Sequence, residues 1–411
     1  MAAQVVSPFA NHRPVRSARR IEVSVGPVAA DFVGCDHRII QAAIEYVAAL
    51  GGGTVQLLAG TYALGNAIFP RAGVTIRGMG DDTVLRKCAG VATPLVREAD
   101  WFEYAVQVEN PAGFTVGGGL ALSSGKAEWP QTKCFTITAI EDNVLHLDQR
   151  TEKNFWVSEE ARAESVHSLI RGWEVDDVCI ENLVLDGARD CNPLVNGNYL
   201  AGVFMQYCNR WRFTGVTCQN YNGDGFSFQV CDDIQFHQCC ALGNASLGFH
   251  PGSGAQRPVF RNCESRSNRL GLFWCWGVCD GVAEDCVFVE NTQYGSSVGH
   301  RDTDNVMRRC RFERNRVVGV LFRNEPEPSR TPDRNRLEAC EFIGNGEAGI
   351  DVQGTAGDLA IQGCRFVGDG DSQAVGVRIA ATVGQIELSD NEFVGTATDI
   401  EDNRPGAKLP V

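Results

Sequence analysis

The sequence predicts an all-β protein folded as a parallel β-helix, in which the chain winds through stacked coils of short strands. Three columns of residues hold the same phase along the second half of the chain: a glycine column, a cysteine column and an asparagine column. The glycines recur at intervals of 23 to 30 residues, which suits one strand-built coil per repeat. The members of this column are Gly202, Gly225, Gly248, Gly271, Gly295, Gly319, Gly349 and Gly376.

Short segments between the glycines alternate apolar and polar residues with period two, which is typical of β-strands. Examples are RFTGVTC, VAEDCVF and LEACEFI. The pattern of leucine-rich repeats, which have a similar period, is absent, and no helical stretch separates the segments. We therefore expect about three short strands in each coil, with neighbouring coils about 4.8 Å apart.

The place of a residue after its coil glycine predicts the side on which it lies. The first and third residues are apolar almost throughout and are expected to fill the solenoid, so the second and fourth are expected to face outward. The predicted outward residues are Phe204, Gln206, Ser227, Gln229, His250, Gly252, Phe273, Cys275, Ser297, Gly299, Leu321, Arg323, Asp351 and Gln353.

The 17 cysteines are read as part of this repeat, because their number is odd and no paired CxxC spacing of a zinc site occurs. We expect one cysteine per coil to stack inside the solenoid as a small apolar side chain, and the asparagines to form hydrogen bonds between turns. The cysteine column is Cys240, Cys263, Cys286, Cys310, Cys340 and Cys364. The asparagine column is Asn244, Asn268, Asn291, Asn315 and Asn345.

The chain is divided into an N-terminal arm (1–30), one β-helix domain (31–400) and a C-terminal tail (401–411). Asp36 is a predicted N-cap for an amphipathic helix over HRIIQAAIEYVAAL, which we expect to cover the open end of the stack. Residues 95–175 lack the repeat and are predicted to form a small inserted β region. The predicted apolar face of the helix is Ile39, Ile40, Ala43, Ile44 and Val47.

The capping helix, the segments GGGTVQLLAGTY and GVTIRGMG, and the later coils together resemble the right-handed parallel β-helix proteins of the pectin lyase-like superfamily. The resemblance runs from about Asp31 to Ile400 and is specific for the fold rather than for a reaction. It implies a carbohydrate-active protein, since the superfamily contains polysaccharide lyases, glycoside hydrolases, epimerases and fructotransferases as well as binding proteins without activity.

Composition excludes several other classes of partner. The formal net charge of −14 argues against nucleic acid, which needs a basic face. No apolar run approaches membrane-spanning length and the N-terminal segment has no apolar signal core, so a cytoplasmic protein without a membrane partner is expected. The expected partner is an oligosaccharide or polysaccharide. No cofactor is predicted, with calcium kept as an alternative on Asp302, Asp304 and Glu325.

The stretch YGSSVGHRDTDN, with its neighbours on adjacent coils, predicts a polar cleft on one flank of the solenoid. Outward histidines, carboxylates, arginines and a tryptophan fall within about five coils, roughly 20 Å at the strand spacing. The predicted catalytic residues are Asp302, Glu325, His300, His250 and Asp224. The predicted substrate-binding residues are Arg323, Arg301, Trp276, Gln229, Gln206 and Asp304.

Glycoside hydrolysis is the first functional hypothesis, because Asp302 and Glu325 occupy matching places on adjacent coils and their carboxylates would lie about 5–8 Å apart. β-Elimination on a uronate by His250, His300 and Arg323 is the alternative, although few lysines map to this flank. A non-catalytic carbohydrate-binding or scaffold β-helix, in which the polar flank only binds sugar, is the third.

The polygalacturonases of the superfamily carry N-x-D, D-D, G-H-G and R-x-K motifs. Here Asn222-Gly223-Asp224 resembles the first motif and Gly299-His300 resembles part of the third. The paired aspartates and the R-x-K motif are absent, so the polygalacturonase mechanism is not carried over to this chain.

Overall fold

A computed structural model describes residues 21–125 and 132–406. Most of the predicted arm (1–20), part of the predicted tail (407–411) and residues 126–131 of the predicted insertion lie outside the described residues. Within the described ranges the regular structure consists of β-strands, one α-helix, His37–Ala49, and four short 3-10 helices. The 3-10 helices are Gly80–Asp82, Val157–Glu159, Arg189–Cys191 and Pro328–Arg330.

Two of the three faces of the solenoid are built from parallel ladders in which each strand pairs with its equivalents on the coils before and after it. This pattern confirms the predicted parallel β-helix. The strands of these two faces are Ile21–Gly26, Phe32–Val33, Gly53–Leu57, Gly60–Leu64, Val74–Arg77, Thr83–Lys87, Cys179–Asp186, Arg212–Gln219, Gln235–His237, Cys240–Leu242, Val259–Arg261, Glu264–Arg266, Val282–Glu284, Val287–Val289, Val306–Arg308, Arg311–Glu313, Arg336–Glu338, Glu341–Ile343, Leu359–Gln362, Arg365–Val367, Ile386–Ser389 and Glu392–Val394.

The third face is a parallel sheet of 10 strands that contains the coil glycines and carries the candidate site. Its first strand follows the insertion, and its last strand crosses the predicted boundary at residue 400. The strands are Ile170–Trp173, Ala201–Gln206, Asp224–Gln229, Leu247–Pro251, Leu270–Phe273, Tyr294–Val298, Val318–Phe322, Ala348–Val352, Val375–Ile379 and Thr398–Asp402.

The predicted phase of this third face is confirmed. Val203, Phe226 and Phe249, each the first residue after a coil glycine, belong to the continuous core of the solenoid. Residues at the second position, such as Phe204 and Leu321, lie outside that core. Many outward residues are nevertheless covered, because loops and the insertion pack over this face.

The asparagine column forms a hydrogen-bonded ladder, as predicted. The backbone N–H of each asparagine donates to the Oδ1 atom of the next, for example from Asn244 to Asn268 at 2.8 Å and from Asn291 to Asn315 at 3.2 Å. Asn345 continues the ladder to Gln373. All these side chains are buried, so the ladder satisfies polar backbone groups that water cannot reach.

The cysteine column is internal, as predicted, but one of its members was assigned one residue too late. Cys263, Cys286 and their successors are buried. On the coil before Cys263 the equivalent residue is Cys239, which is fully buried. Cys240 begins a strand and is only half-buried. Two adjacent cysteines left the register ambiguous in the sequence, and the strand pairing of Gln235–His237 with Val259–Arg261 fixes it.

The helix His37–Ala49 begins at the predicted N-cap, because the Asp36 carboxylate accepts hydrogen bonds from the backbone N–H groups of Arg38 and Ile39. Four of its residues are buried against the first coils: Ile40, Ala43, Ile44 and Val47. Ile39 is partly buried at the edge of this face. The strand Ile21–Gly26 pairs with Gly53–Leu57, so the β-helix already includes residues that we assigned to the N-terminal arm.

The insertion folds as a separate antiparallel sheet with its own apolar core. It lies between the first coils and the regular repeats, within and just before the predicted range. Its strands are Ala92–Pro94, Ala105–Gln107, Gly119–Ser124, Thr132–Glu141, Val144–Leu147 and Ala161–Glu164. No helix in residues 21–125 or 132–406 is long and apolar enough to cross a membrane.

One coil is longer than its predecessors, and its extra residues lie in a turn. The ladder bond from Asn315 to Asn345 spans 30 residues, whereas the bond from Asn291 to Asn315 spans 24. The two bonds have nearly equal lengths, 3.1 and 3.2 Å. The added residues follow the strand Val318–Phe322 and include the short helix Pro328–Arg330. The stack of strands is therefore undisturbed by the extra length.

Candidate active site

A groove runs along the third face and is formed by two adjoining cavities that share Tyr199 and Gln206 in their walls. The first, of about 580 Å³, lies between the insertion and the first coils and is called here the basic cavity. The second, of about 560 Å³, lies over the coils that follow and is called the histidine cavity. Their combined size suits several sugar units.

The basic cavity brings together three cationic side chains, Lys133, Lys153 and Arg171. The two lysines come from the insertion and Arg171 from the first strand of the third face. One carboxylate, that of Glu152, lies in the same wall and pairs with Lys133 at 2.7 Å. The cavity therefore has an excess of positive charge although the chain as a whole is acidic.

Lys153 is held against an aromatic ring. Its Nζ atom lies 4.7 Å from the centre of the Tyr199 ring and donates to the backbone oxygen of Thr132 at 3.3 Å. Burial and the nearby charge of Lys133 lower the pKa of Lys153. Arg171 lies 5.3 Å from the centre of the Phe204 ring. The cavity thus combines cations with the flat apolar surfaces that suit sugar rings.

The histidine cavity is built around a buried pair formed by Asp224 and His250, which lie on consecutive coils. The Oδ2 atom of Asp224 is 2.7 Å from Nδ1 of His250, and its Oδ1 atom accepts the backbone N–H of Leu247 at 3.0 Å. Burial lowers the pKa of His250, but the hydrogen bond to Asp224 and the nearby Cys275 outweigh it and raise the pKa to about 9. The imidazole is therefore protonated at neutral pH.

Ser227 and Gln229 complete the polar base of the histidine cavity. The Ser227 hydroxyl lies 3.2 Å from Nδ1 of His250 and donates to the backbone oxygen of Gly197 at 2.8 Å. Gln229 donates to Ser227 at 3.3 Å and accepts the backbone N–H of Ser253 at 2.8 Å. Gln229, predicted to bind substrate, is mostly engaged within the protein, while Gln206 lines both cavities.

Asp302 does not occupy the place in the cleft that the sequence suggested. It is completely inaccessible and accepts the backbone N–H groups of Gly277, Val278 and Gly299. Burial raises its pKa to about 6, although Arg323 acts in the opposite direction. A carboxylate held in this way cannot reach a glycosidic bond, so the predicted catalytic pair with Glu325 is not available.

Arg323 connects Asp302 to the strands below it. Its Nη2 atom lies 3.0 Å from Asp302 and also donates to the backbone oxygen of Trp274, while Nη1 donates to Ser297. Its guanidinium group lies 4.5 Å from the centre of the Phe273 ring. Arg323 was predicted to bind substrate, but these contacts give it a structural role.

Glu325, His300 and Trp276 form a second polar group farther along the same flank. Glu325 accepts the backbone N–H of His300 at 3.1 Å and lies 3.7 Å from its ring. The His300 ring stacks on Trp276 with 4.7 Å between centres. Trp276 is 54% exposed and lines the histidine cavity. The sequence correctly brought these three residues together, and Trp276 offers an aromatic surface at the end of the groove.

Asp304 and Arg301 do not line either cavity. Asp304 pairs with Arg334 at 2.7 Å. Equivalent pairs, Asp177–Arg210 and Asp233–Arg257, recur on earlier coils. Arg301 is exposed on the adjoining turn. Both residues belong to a surface row at one corner of the solenoid.

The oxygen ligands considered for calcium are not brought together. Asp302 pairs with Arg323, Asp304 with Arg334, and Glu325 contacts His300. Across residues 21–125 and 132–406, no group of three or more histidine, cysteine or acidic side chains has an arrangement that suits a metal ion. The residues present therefore do not fit the calcium alternative.

Sequence reasoning missed Lys133, Lys153, Arg171 and Tyr199. The first three lie in or just after the insertion and the fourth in a loop, so the coil register gave them no position. Cys275 was placed outward by the phase but was not recognised as part of a site. Its outward position, opposite to that of the internal cysteine column, was the available signal.

Residues 201–393 match the family model described as the right handed beta helix region. No curated protein matches the sequence. The A-module of mannuronan C-5 epimerase AlgE6 from Azotobacter vinelandii has a similar structure, with a TM-score of 0.57, 16% identity and coverage of 91% of this chain and 94% of that one.

Two further solved structures are similar over almost the whole chain. The A-module of mannuronan C-5 epimerase AlgE4 from Azotobacter vinelandii has a TM-score of 0.55 and 15% identity, and covers 94% of this chain and 100% of that one. ORF18 of Geobacillus virus E2 has a TM-score of 0.55 and 13% identity, and covers 92% of this chain and 62% of that one. At such identities the likeness establishes the fold, and the chain is a right-handed parallel β-helix protein.

Proposed function

We propose that this protein is a carbohydrate-active enzyme that cleaves a uronate-containing glycan by β-elimination in the groove. The observation that carries the proposal is the cluster of Lys133, Lys153 and Arg171 in a cavity with aromatic walls. The hydrolytic alternative loses its main support because Asp302 is inaccessible. Two structures of similar fold are named mannuronan C-5 epimerases, which is in keeping with a uronate substrate.

The cations have distinct roles in this proposal. Arg171 and Lys133 bind the uronate carboxylate and neutralise it, which makes the proton on the adjacent carbon more acidic. Lys153 removes that proton, because burial and the neighbouring Lys133 favour its neutral form. A lowered pKa makes the neutral, proton-accepting form of a lysine easier to reach.

Tyr199 is the candidate proton donor to the departing sugar oxygen. Its ring lies against Lys153 and its side chain lines both cavities, so it stands where the glycan passes from one cavity to the other. In the proposed step the electrons of the broken carbon–hydrogen bond form a double bond while the glycosidic oxygen leaves and takes up the Tyr199 proton. The cleaved chain then extends over the histidine cavity towards Trp276.

The experiment is to incubate the protein with a panel of uronate polymers and to record the ultraviolet absorbance of an unsaturated product. Lys153→Ala and Lys153→Arg should both lower this rate by about 100-fold or more, since general-base catalysis typically contributes that much. Lys153→Arg is the matched variant, because it keeps the positive charge but cannot lose its proton. Bound glycan should therefore still raise the melting temperature of Lys153→Arg.

Other products would point to other reactions. New reducing ends without ultraviolet absorbance would indicate hydrolysis and would contradict the proposal. Exchange of the sugar proton with solvent without cleavage would indicate epimerisation by the same base. Full activity of Lys153→Arg would exclude Lys153 as the base.

A further inference from the structure

Three reactive side chains in the histidine cavity have no part in the proposed elimination: Asp224, His250 and Cys275. They come from three consecutive coils. The strand Asp224–Gln229 pairs with Leu247–Pro251, which in turn pairs with Leu270–Phe273, and Cys275 follows shortly after. The solenoid therefore places a carboxylate, an imidazole and a thiol in one row across the face.

The imidazole is oriented by the carboxylate. Asp224 is itself fixed by the Leu247 N–H group and holds Nδ1 of His250 at 2.7 Å. The other ring nitrogen, Nε2, is buried and has no hydrogen-bond partner, and His250 as a whole is only 3% exposed. A buried polar atom without a partner is unusual and marks a place where a proton can be exchanged. Asp224 and His250 thus have the relation of the orienting carboxylate and the base in nucleophilic enzymes.

Cys275 is the thiol of this group. Its backbone N–H donates to the oxygen of Pro251, the residue after His250, at 3.0 Å, and its side chain lines the same cavity as the imidazole without a hydrogen bond to Nε2. Loose contacts of this kind are common in unliganded nucleophilic sites. Cys275 is partly exposed to the cavity and points outward, whereas the cysteines of the internal column are buried. It is therefore the cysteine of this face that a substrate in the groove can reach.

We propose that Cys275, His250 and Asp224 form a nucleophilic triad that removes ester-linked acyl groups from the glycan bound in the groove. The identity of the acyl donor rests on the proposed function, whereas the triad itself rests on the geometry of the cavity. The histidine cavity adjoins the basic cavity, so a single glycan chain passes both sites. Arg269 also lines the histidine cavity and contributes positive charge to it.

The reaction has two balanced steps. The first step needs the neutral form of His250, so its rate should rise as the pH approaches about 9. In this step the thiol proton passes to Nε2 of His250 while Sγ of Cys275 attacks the ester carbonyl carbon. The carbon–oxygen bond to the sugar then breaks, the sugar oxygen takes the proton from Nε2, and a thioester remains. In the second, water gives a proton to Nε2 and adds to the thioester carbon. The carboxylic acid departs and the sulfur regains the proton, so the sum is ester plus water giving alcohol plus acid.

The first experiment uses p-nitrophenyl acetate, which tests the triad without any glycan. The wild-type protein should release nitrophenol, and a sample quenched with acid should carry one acetyl group on the peptide that contains Cys275. Cys275→Ala and Cys275→Ser should each lower the rate by about 100-fold or more. The matched control is Cys279→Ala, since Cys279 is also partly exposed but its thiol contacts Thr303 and backbone oxygens.

Melting temperatures close to that of the wild-type protein would show that the variants are folded. A wild-type rate in both Cys275 variants, or an acetyl group on another residue, would overturn the proposal. The pH profile of the Asp224→Asn variant distinguishes a role of Asp224 in orienting His250 from a purely structural role. By lowering the pKa of His250, the substitution should displace the pH profile of esterase kcat/KM to lower pH.

The second experiment separates the esterase from the proposed elimination. Acetylated uronate polymer is given to Lys153→Arg and to Cys275→Ala. The expected result is acetate release without unsaturated product in the first variant, and the reverse in the second. Unsaturated product without any acetate release by the wild-type protein would overturn the esterase proposal alone. Acetate release without unsaturated product by the wild-type protein would overturn the elimination alone.

Discussion

Asp224→Asn should remove the charge that keeps buried His250 protonated. The pKa of His250 is raised from 6.5 to about 9 in the folded protein. Since one pKa unit corresponds to about 1.36 kcal/mol, the difference amounts to about 3 kcal/mol of stability. His250 and Asp224 are only 3% and 1% exposed, so solvent does not screen this interaction.

The direction of the pH dependence follows from linkage. A histidine whose pKa is higher in the folded than in the unfolded protein stabilises the fold fully below the unfolded value, here 6.5. The contribution is lost as the pH rises through about 9. The wild-type protein should therefore exceed Asp224→Asn in free energy of unfolding by about 3 kcal/mol at the lower pH, and by much less above the higher value.

The assay is unfolding in urea, followed by circular dichroism, at one pH below 6.5 and one pH above 9. The difference between wild type and Asp224→Asn at each pH is the measured quantity. The control is Asp232→Asn, which removes an exposed carboxylate paired with Arg257 and should cost less than about 1 kcal/mol at both pH values. An equal difference for Asp224→Asn at the two pH values would refute the reasoning.

The remaining predictions concern the solenoid itself. Asn291→Ala should lower the free energy of unfolding by about 2–3 kcal/mol, as measured in urea, because it leaves buried ladder groups without partners. Gly248→Ala should lower the melting temperature, because the new methyl group would overlap the hydroxyl of Ser265 on the same coil. Gly357→Ala is its control, because a methyl group there meets only ordinary contacts and should leave the melting temperature unchanged. Asp302→Asn should lower the free energy of unfolding in urea by about 3 kcal/mol, because it leaves Arg323 without its charged partner. It should not change the rate of the proposed elimination per folded molecule.

The coils could be predicted because the same pattern of glycine, cysteine and asparagine recurs in successive segments of the chain. Each glycine marks the start of an equivalent strand, so the inward position of Phe226 and the outward position of His250 follow from spacing alone. Where the repeat itself was ambiguous, at Cys239 and Cys240, the choice needed the pairing of strands. The register of the asparagine ladder, in contrast, was clear from the sequence alone.

The site was predicted only in part, because a side chain that points away from the solenoid core can still be covered by other parts of the chain. The turn after Val298 folds back, so Asp302 accepts three backbone N–H groups and becomes buried, which the spacing of residues does not reveal. Lys133 and Lys153 reach the groove from the insertion, where no repeat fixes the register. Their absence from the predicted flank led the sequence argument to favour hydrolysis over elimination.

The longer coil shows where this chain can gain residues without disturbing the stack of strands. Its additional residues are confined to the corner after the strand Val318–Phe322, and the ladder bond between Asn315 and Asn345 keeps its length. New segments inserted at this corner should therefore be tolerated, whereas a single residue added within a strand would shift every side chain of that strand to the opposite side. Because Glu325 lies at this corner and contacts His300, variation in loop length there can change the end of the groove while the stacked coils stay intact.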